Sequence, residues 1–294
     1  MSEPESLAAP RTIAAARRWA IAALRAAGIA SAGIDVRRLM AAAFALPEAQ
    51  ILARPEAELP PERAQIFASY IERRCGREPV SRILGAREFY GRSFAVSAAT
   101  LDPRPDSETL IEATLEIVRS ENWPTLPLRV LDIGTGTGCL LLTLLSELPQ
   151  ATGLGTDLSG AALEVARGNA AALGLGQRVA WRTTDLLENV AGPFHIVISN
   201  PPYLRSAEIA TLEPEVSRFD PRLALDGGTD GLAVFRRLSA RLFEVVPNGW
   251  IVLEVAHDQA DKVAEMFAPG RAAHVRFYRD VSGRRRCVAV RTRN

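Results

Sequence analysis

The chain has 294 residues, 48% of them hydrophobic, 23% charged and 6% aromatic, enough apolar material for one large or two modest cores and too much for extensive disorder. Lys and Arg number 35 against 34 Asp and Glu, a formal net charge of +1, so no global basic field points to a nucleic-acid or membrane partner. No apolar run reaches the length of a bilayer span, and the opening Met1-Ser2-Glu3-Pro4-Glu5-Ser6 lacks the basic-then-apolar order of a secretion signal. Cys75, Cys139 and Cys287 are too scattered for a disulfide framework or a zinc site. A protein of the reducing cytoplasm is expected, with no bound metal.

Residues 10–75 are rich in Ala and Arg and poor in β-branched runs. Ile13, Ala16, Ala20, Ala23 and Leu24 recur at helical spacing, as do Val36, Leu39, Met40, Ala43 and Phe44. Asp35 is placed to cap or start the second of these helices, and Pro47, Pro55 and Pro60-Pro61 punctuate shorter ones. Four or five helices are expected, their Arg residues forming a solvated face. Residues 78–105 form a connector in which two short strand patterns flank Gly91-Arg92, a hairpin signal. Asp106 or Ser107 is placed to cap a helix running to about Ser120.

From Leu128 onward strands alternate with helices, which predicts an α/β domain with a mostly parallel sheet. A last strand pair without an intervening helix, near 273–278 and 287–290, implies an antiparallel edge strand. Arg284-Arg285-Arg286 reads as solvated charge at the start of the final strand. Three divisions follow: an N-terminal helical domain over 1–77, a hairpin linker over 78–105 and a catalytic domain over 106–294.

The strand around Leu131 ends in Asp132-Ile133-Gly134-Thr135-Gly136-Thr137-Gly138 and opens a helix. Glycines there let backbone N–H groups approach a ligand closely. No lysine follows, as a phosphate loop requires, and the third glycine falls at Gly138, one residue early for the dinucleotide pattern, which has Cys139 in that place. The G-x-G-x-G form resembles the cofactor loop of class I S-adenosylmethionine-dependent methyltransferases. Asp157 ends the second strand, where a carboxylate meets ribose hydroxyls, and Asp185 ends the third, where it is placed to accept from an adenine amino group.

The fourth strand runs into Asn200-Pro201-Pro202-Tyr203. Two prolines fix φ and leave rigid carbonyls. Those carbonyls and the Asn200 side-chain oxygen form a set of acceptors for the NH₂ of an amide or an aromatic amine. Holding both N–H bonds aims the nitrogen lone pair and stabilises charge growing on it, while Tyr203 packs on the flat group. His195, His257 and His274 have no place in this chemistry and are expected to be structural.

With these motifs in hand, the chain closely resembles the bacterial peptide-chain release factor glutamine N5-methyltransferases. Arg77-Glu78-Pro79-Val80, Gly85, Glu88-Phe89, the block Pro103-Arg104-Pro105-Asp106-Ser107-Glu108, Leu223-Ala224-Leu225-Asp226-Gly227-Gly228 and Asp230-Gly231-Leu232 carry the likeness along with the loop and Asn200-Pro201-Pro202-Tyr203. The resemblance implies a seven-stranded class I fold with a small all-α N-terminal domain. It implies S-adenosylmethionine as cofactor, with S-adenosylhomocysteine as product, bound by Gly134, Thr135, Gly136, Thr137, Gly138, Asp157 and Asn200. It implies that Asn200, Pro201, Pro202 and Tyr203 hold the target, the glutamine of the Gly-Gly-Gln motif of class I release factors. Where the family often carries an aromatic residue against the adenine, this chain has Leu186. The helical domain, which lacks any chemical motif, is expected to dock the protein substrate. Two alternatives share the Asn-Pro-Pro-Tyr motif: glutamine methylation of a large-subunit ribosomal protein, and adenine-N6 methylation of DNA, which needs base extrusion and a phosphate-binding surface. The near-neutral charge weighs against direct nucleic-acid binding.

Overall fold

The computed structural model describes residues 12–267 and 272–293. The chain divides into two compact units, Met1–Gly85 and Ala86–Asn294. The described part of the first unit holds α1 (Ile13–Ala26), α2 (Ala32–Phe44), α3 (Glu48–Ala53), α4 (Pro61–Cys75) and α5 (Val80–Leu84). Thr12 caps α1 by accepting from the Ala15 N–H at 3.3 Å. The helical spacing of Ile13, Ala16, Ala20 and Leu24 turns them all inward, where they join Val36, Leu39 and Met40 of α2 and Phe67 and Ile71 of α4 in one core. The Phe67 ring meets Trp19 edge-on and Phe44 at a tilt, with centroids 6.4 and 5.8 Å away. Asp35 does not open α2, which begins after Ser31. It lies a turn further in, where its buried carboxylate accepts from the Ser31 hydroxyl at 2.9 Å and from Arg74 Nε at 2.8 Å.

The second unit begins with a hairpin of β1 (Ala86–Phe89) and β2 (Arg92–Ala95), joined through Tyr90 and Gly91 at φ 50° and 70°. Two successive left-handed residues are what a type I′ turn requires. A 3₁₀ turn, Pro105–Ser107, leads into α6 (Glu108–Ser120), and neither Asp106 nor Ser107 caps it with a side chain. Then follow β3 (Arg129–Ile133), α7 (Cys139–Glu147), β4 (Thr152–Asp157), α8 (Gly160–Ala172), β5 (Val179–Thr183), β6 (Ile196–Ser199), α9 (Pro214–Ser217), α10 (Ala233–Val245), β7 (Trp250–Glu254), α11 (Ala260–Phe267), β8 (Ala272–Arg279) and β9 (Arg285–Thr292).

The seven-stranded sheet has the order β5-β4-β3-β6-β7-β9-β8. Strands β3 to β7 pair in parallel, β9 runs antiparallel to β7, and the edge strand β8 pairs antiparallel with β9. Alternate residues of the central strands face opposite sides. Val130, Ile196, Ile198, Trp250 and Val252 pack with the hairpin, α6 and α7. Leu131, Val197, Ile251 and Leu253 pack with α10 and α11 on the other face. Burial on both faces explains why these strands are continuously apolar. Asn169 of α8 ties the hairpin to the loop after β3: its Oδ1 accepts from the Ala95 N–H at 2.8 Å, and its Nδ2 donates to the carbonyls of Ala95 at 3.1 Å and Thr137 at 2.9 Å. Among the described residues no helix is long and apolar enough to cross a membrane.

Candidate active site

In a parallel sheet, ligands bind beyond the carboxyl ends of the strands where the strand order reverses. Here that point lies between β3 and β6. The loop after β3 holds Gly134, Gly136 and Gly138 at φ 70°, 56° and 79°, a left-handed backbone that side chains disfavour. The Thr135 N–H donates to the Thr156 carbonyl at 2.8 Å, and its hydroxyl donates to Asp132 Oδ2 at 2.6 Å. The Asp157 carboxylate accepts from the Gly136 N–H at 2.9 Å through Oδ2 and from the Ser159 N–H at 2.8 Å through Oδ1. Thus the acid ending β4 holds the turn beside it in shape.

This loop edges a cavity of about 480 Å³. Gly134, Thr135, Gly136, Thr137, Asp157 and Asp185 line it, as do Asn200 and Pro202. Gly138 does not. A Cβ there would lie 3.1 Å from Leu142, 3.2 Å from Trp181 and 3.3 Å from Ala166, so this glycine serves the packing of α7 and not the cavity wall. Asp185 is already engaged by Arg237, 2.8 Å away. Leu158 and Leu186 add apolar wall, and Leu158 remains 51% exposed. Behind the loop Asp132 is fully buried. Loss of water pushes its carboxyl up to about 7, the Asp157 charge adds to the rise, and the Thr135 hydrogen bond opposes it. Burial likewise pushes the Cys139 thiol up to about 12.

A second cavity, of about 300 Å³, adjoins the first and shares Leu101, Arg104, Asn200 and Ala224 with it; Tyr203 and Glu254 line only the second. Asn200 lines both spaces and Tyr203 only the second, while Pro201 is buried and lines neither. Asn200 Nδ2 donates to the Ser107 hydroxyl at 3.1 Å. The Tyr203 hydroxyl donates to Glu254 Oε1 at 3.1 Å. Glu254 is buried, and the loss of water raises its carboxyl above the ordinary range against opposing hydrogen bonds from Ser107 and Tyr203 and the charge of Arg286. The same burial and the Glu254 charge push the Tyr203 phenol well up.

The block running from Leu223 to Leu232 clasps this segment through its backbone. The Leu204 N–H donates to the Leu225 carbonyl at 3.0 Å and the Gly227 N–H to the Leu204 carbonyl at 2.8 Å. A Cβ at Gly227 would sit 2.8 Å from the Pro202 carbonyl oxygen, and one at Gly231 would sit 2.4 Å from that of Tyr203. These glycines are required by close backbone approach.

Beside the motif, Glu254 and Gln259 went unmarked in the sequence reading, and Ser107 and Arg286 were given other roles. Ser107 was expected as a cap, and its hydroxyl is directed to Asn200 instead. Glu254 carried a signal, since an acid ending an otherwise apolar buried strand at the carboxyl edge of a sheet calls for a partner. Arg286 is not solvated charge. It is largely buried against Asp106 at 3.0 Å and Asp280 at 3.4 Å. His195 accepts the Arg129 N–H at 2.9 Å through Nδ1, a structural contact.

The family model described as the PrmC N-terminal domain matches residues 15–85, and that of the methyltransferase small domain matches residues 113–214. A release factor glutamine methyltransferase of Rhodospirillum rubrum is 44% identical over 271 residues, covering 92% of this chain and 82% of that one. One of Bradyrhizobium diazoefficiens is 45% identical over 254 residues, covering 86% and 85%. Among solved structures, the hMettl16 catalytic domain in complex with MAT2A 3′UTR hairpin 6 is similar with TM-score 0.56 at 17% identity, covering 73% of this chain and 81% of that chain. That likeness bears on the fold.

Proposed function

Since the chain belongs to the family of release factor glutamine methyltransferases, we propose that its methyl donor is S-adenosylmethionine and its acceptor the side-chain amide nitrogen of the glutamine in the Gly-Gly-Gln tip of class I release factors. The chain is a protein-glutamine methyltransferase. Such a substrate puts its work in the cytoplasm, where translation terminates.

The residues present fit that donor. Each Asp157 oxygen gives one lone pair to a loop N–H and keeps another for a ribose hydroxyl. Leu158 and Leu186 offer flat apolar cover for a base, and Asp185, steadied by Arg237, accepts from its amino group. Bound there, the donor supplies an electrophilic methyl group on a sulfonium and leaves as S-adenosylhomocysteine.

Asn200 Oδ1 and the Pro201 carbonyl accept the two N–H bonds of the incoming carboxamide. That aims the nitrogen lone pair toward the larger cavity and stabilises positive charge as it develops; once the N–C bond forms the nitrogen is acidic and releases one of its two protons to water. Tyr203 covers the amide plane from the smaller cavity. A glutamate would set carboxylate oxygens against acceptor oxygens and be repelled.

Of the four residues that line both cavities, Leu101, Arg104, Asn200 and Ala224, Asn200 alone carries an amide oxygen able to accept from an incoming NH₂, and that is the observation that carries this reading. The test is mass spectrometry of the glutamine peptide from a purified class I release factor incubated with enzyme and S-adenosylmethionine. One added methyl group on the glutamine is expected. Methylation of a large-subunit ribosomal protein or of duplex DNA, with the release factor unchanged, would overturn it.

The helical unit supplies a second contact with the protein substrate, since a short glycine-rich tip offers little area by itself. Each unit has its own core, so removal of residues 1–85 is a fair experiment. It should raise KM for intact release factor far more than for a short Gly-Gly-Gln peptide; equal changes would count against docking.

A further inference from the structure

Among the residues shared by the two cavities, only Arg104 carries a charge. Its side chain is 35% exposed, and its Nη2 donates to Asp220, whose side chain is 1% exposed and lines neither cavity. Asp220 therefore holds the arginine from behind the wall. The other oxygen of Asp220 accepts the Asp102 N–H at 3.3 Å, which fixes the backbone that carries the arginine. A guanidinium is a planar fork of N–H donors with no acceptor. Asp220 is the partner found for it among the described residues, so part of the fork is left for a ligand.

The larger cavity has two distinct ends. At one, Arg237, the only other cation lining this cavity among the described residues, is committed to Asp185 at 2.8 Å. That is the end given above to the base. At the other end is Asn200, and the segment holding Arg104 is fastened to it, since Asn200 Nδ2 donates to the hydroxyl of Ser107 in the same segment at 3.1 Å. S-adenosylmethionine runs from base to ribose to sulfonium to amino acid. With the ribose at Asp157 and the sulfonium facing Asn200, the amino-acid end falls to the wall that Arg104 shares. That end bears an α-carboxylate, and a carboxylate taken out of water needs a cation or hydrogen-bond donors. Arg104 is the cation placed there. Its pairing with Asp220 keeps the two side chains close to neutral together, so the guanidinium can grip an anion without setting an uncompensated positive charge beside a sulfonium.

We propose that Arg104 binds the α-carboxylate of the methyl donor, with Asp220 as the positioning residue that aims it. The inference rests on S-adenosylmethionine being the donor, as read above, and is independent of what is methylated. It also gives the Pro103–Glu108 block a task distinct from starting a helix.

Calorimetric titration of the full chain with S-adenosylhomocysteine and with its decarboxylated counterpart, which lacks only that carboxylate, tests the inference without turnover. Wild type should bind the first about tenfold or more tightly than the second, the range of a charge-assisted hydrogen bond. Arg104→Met keeps the apolar stem and removes the charge. In that variant the two dissociation constants should converge, through weaker binding of S-adenosylhomocysteine alone, and Arg104→Lys should restore part of the gap. Should Arg104→Met fail to fold, Arg104→Gln supplies the same comparison. An arginine that merely latches the fold would weaken both ligands together and leave their ratio at the wild-type value, which overturns the inference. So does a wild-type ratio near one. An arginine serving the acceptor would also leave the ratio unchanged, and would alter only inhibition by a release factor carrying glutamate in the Gly-Gly-Gln position. A wild type that binds neither nucleoside removes the donor assignment itself, and this inference with it.

Discussion

Gln259 Nε2 donates to the main-chain oxygen of Tyr203 at 2.9 Å and to that of Gly231 at 3.3 Å, while its Oε1 accepts the Ala256 N–H at 3.3 Å. One buried amide therefore fastens the end of the Asn-Pro-Pro-Tyr turn both to the segment that clasps it and to the strand end beside it. The turn is held by its backbone as well as by its side chains.

Gln259→Leu keeps the approximate volume and removes the donor. It leaves the Tyr203 carbonyl without this partner in a buried place, at a cost of about 1–3 kcal/mol in stability. A roughly tenfold fall in kcat is expected from loosened positioning, with little change in the dissociation constant of S-adenosylmethionine. Denaturant melts, steady-state kinetics and calorimetry check the three parts separately.

Asn200→Ala and Asp157→Ala should separate chemistry from donor binding. The first removes one of two acceptors aimed at the target amide, and kcat should drop by about 10²–10³. The second removes the carboxylate proposed to accept from ribose hydroxyls and undoes the Gly136 and Ser159 anchors. It should raise KM for S-adenosylmethionine by about 10- to 100-fold, with a smaller loss in kcat. Wild-type kcat in the Asn200 variant would refute its role.

Much of this site is legible in the sequence because its requirements are local. Gly134 and Gly136 answer to a backbone turn, Asp157 to the end of the adjoining strand, and Asn200 to Tyr203 to two successive prolines. What escaped are residues whose meaning depends on chain distance. Ser107 reaches Asn200 across 93 positions, Glu254 reaches Tyr203 across 51 and Gln259 reaches its carbonyl across 56. No periodicity or spacing links such pairs; only the sheet order brings them together. Gly138 shows the opposite limit, since a glycine inside the motif is required for packing against Leu142 and Trp181 and looks the same in sequence as one that meets a ligand.

Asp132 should make stability fall as pH rises. Its folded value of about 7 lies above the 3.8 of an ordinary aspartate, so the folded state holds a proton that the unfolded chain releases. The sign follows directly: the stabilisation is fully present below about pH 4 and is lost as pH climbs through 7, a swing on the order of 4 kcal/mol. Asp132→Asn removes this contribution. The stability difference between wild type and variant, from urea titrations at pH 5 and pH 8, should shift toward the variant at the higher pH; a constant difference would contradict the burial account.

In the helical unit Asp35→Ala removes the buried carboxylate that Arg74 Nε meets at 2.8 Å. Breaking one side of a buried pair costs about 3–5 kcal/mol, and the first unit has only a small core to absorb it. Thermal melting of the full chain should show an early transition assigned by hydrogen exchange to residues 12–85, with the donor site unaffected.

Asn169 gives the hairpin a duty that its distance along the chain conceals. The same carboxamide grips a β2 residue through both its N–H and its carbonyl and also holds the Thr137 carbonyl of the glycine turn, so hairpin and turn share one fastening. Trimming or lengthening the ribbon therefore alters the stiffness of the glycine turn itself.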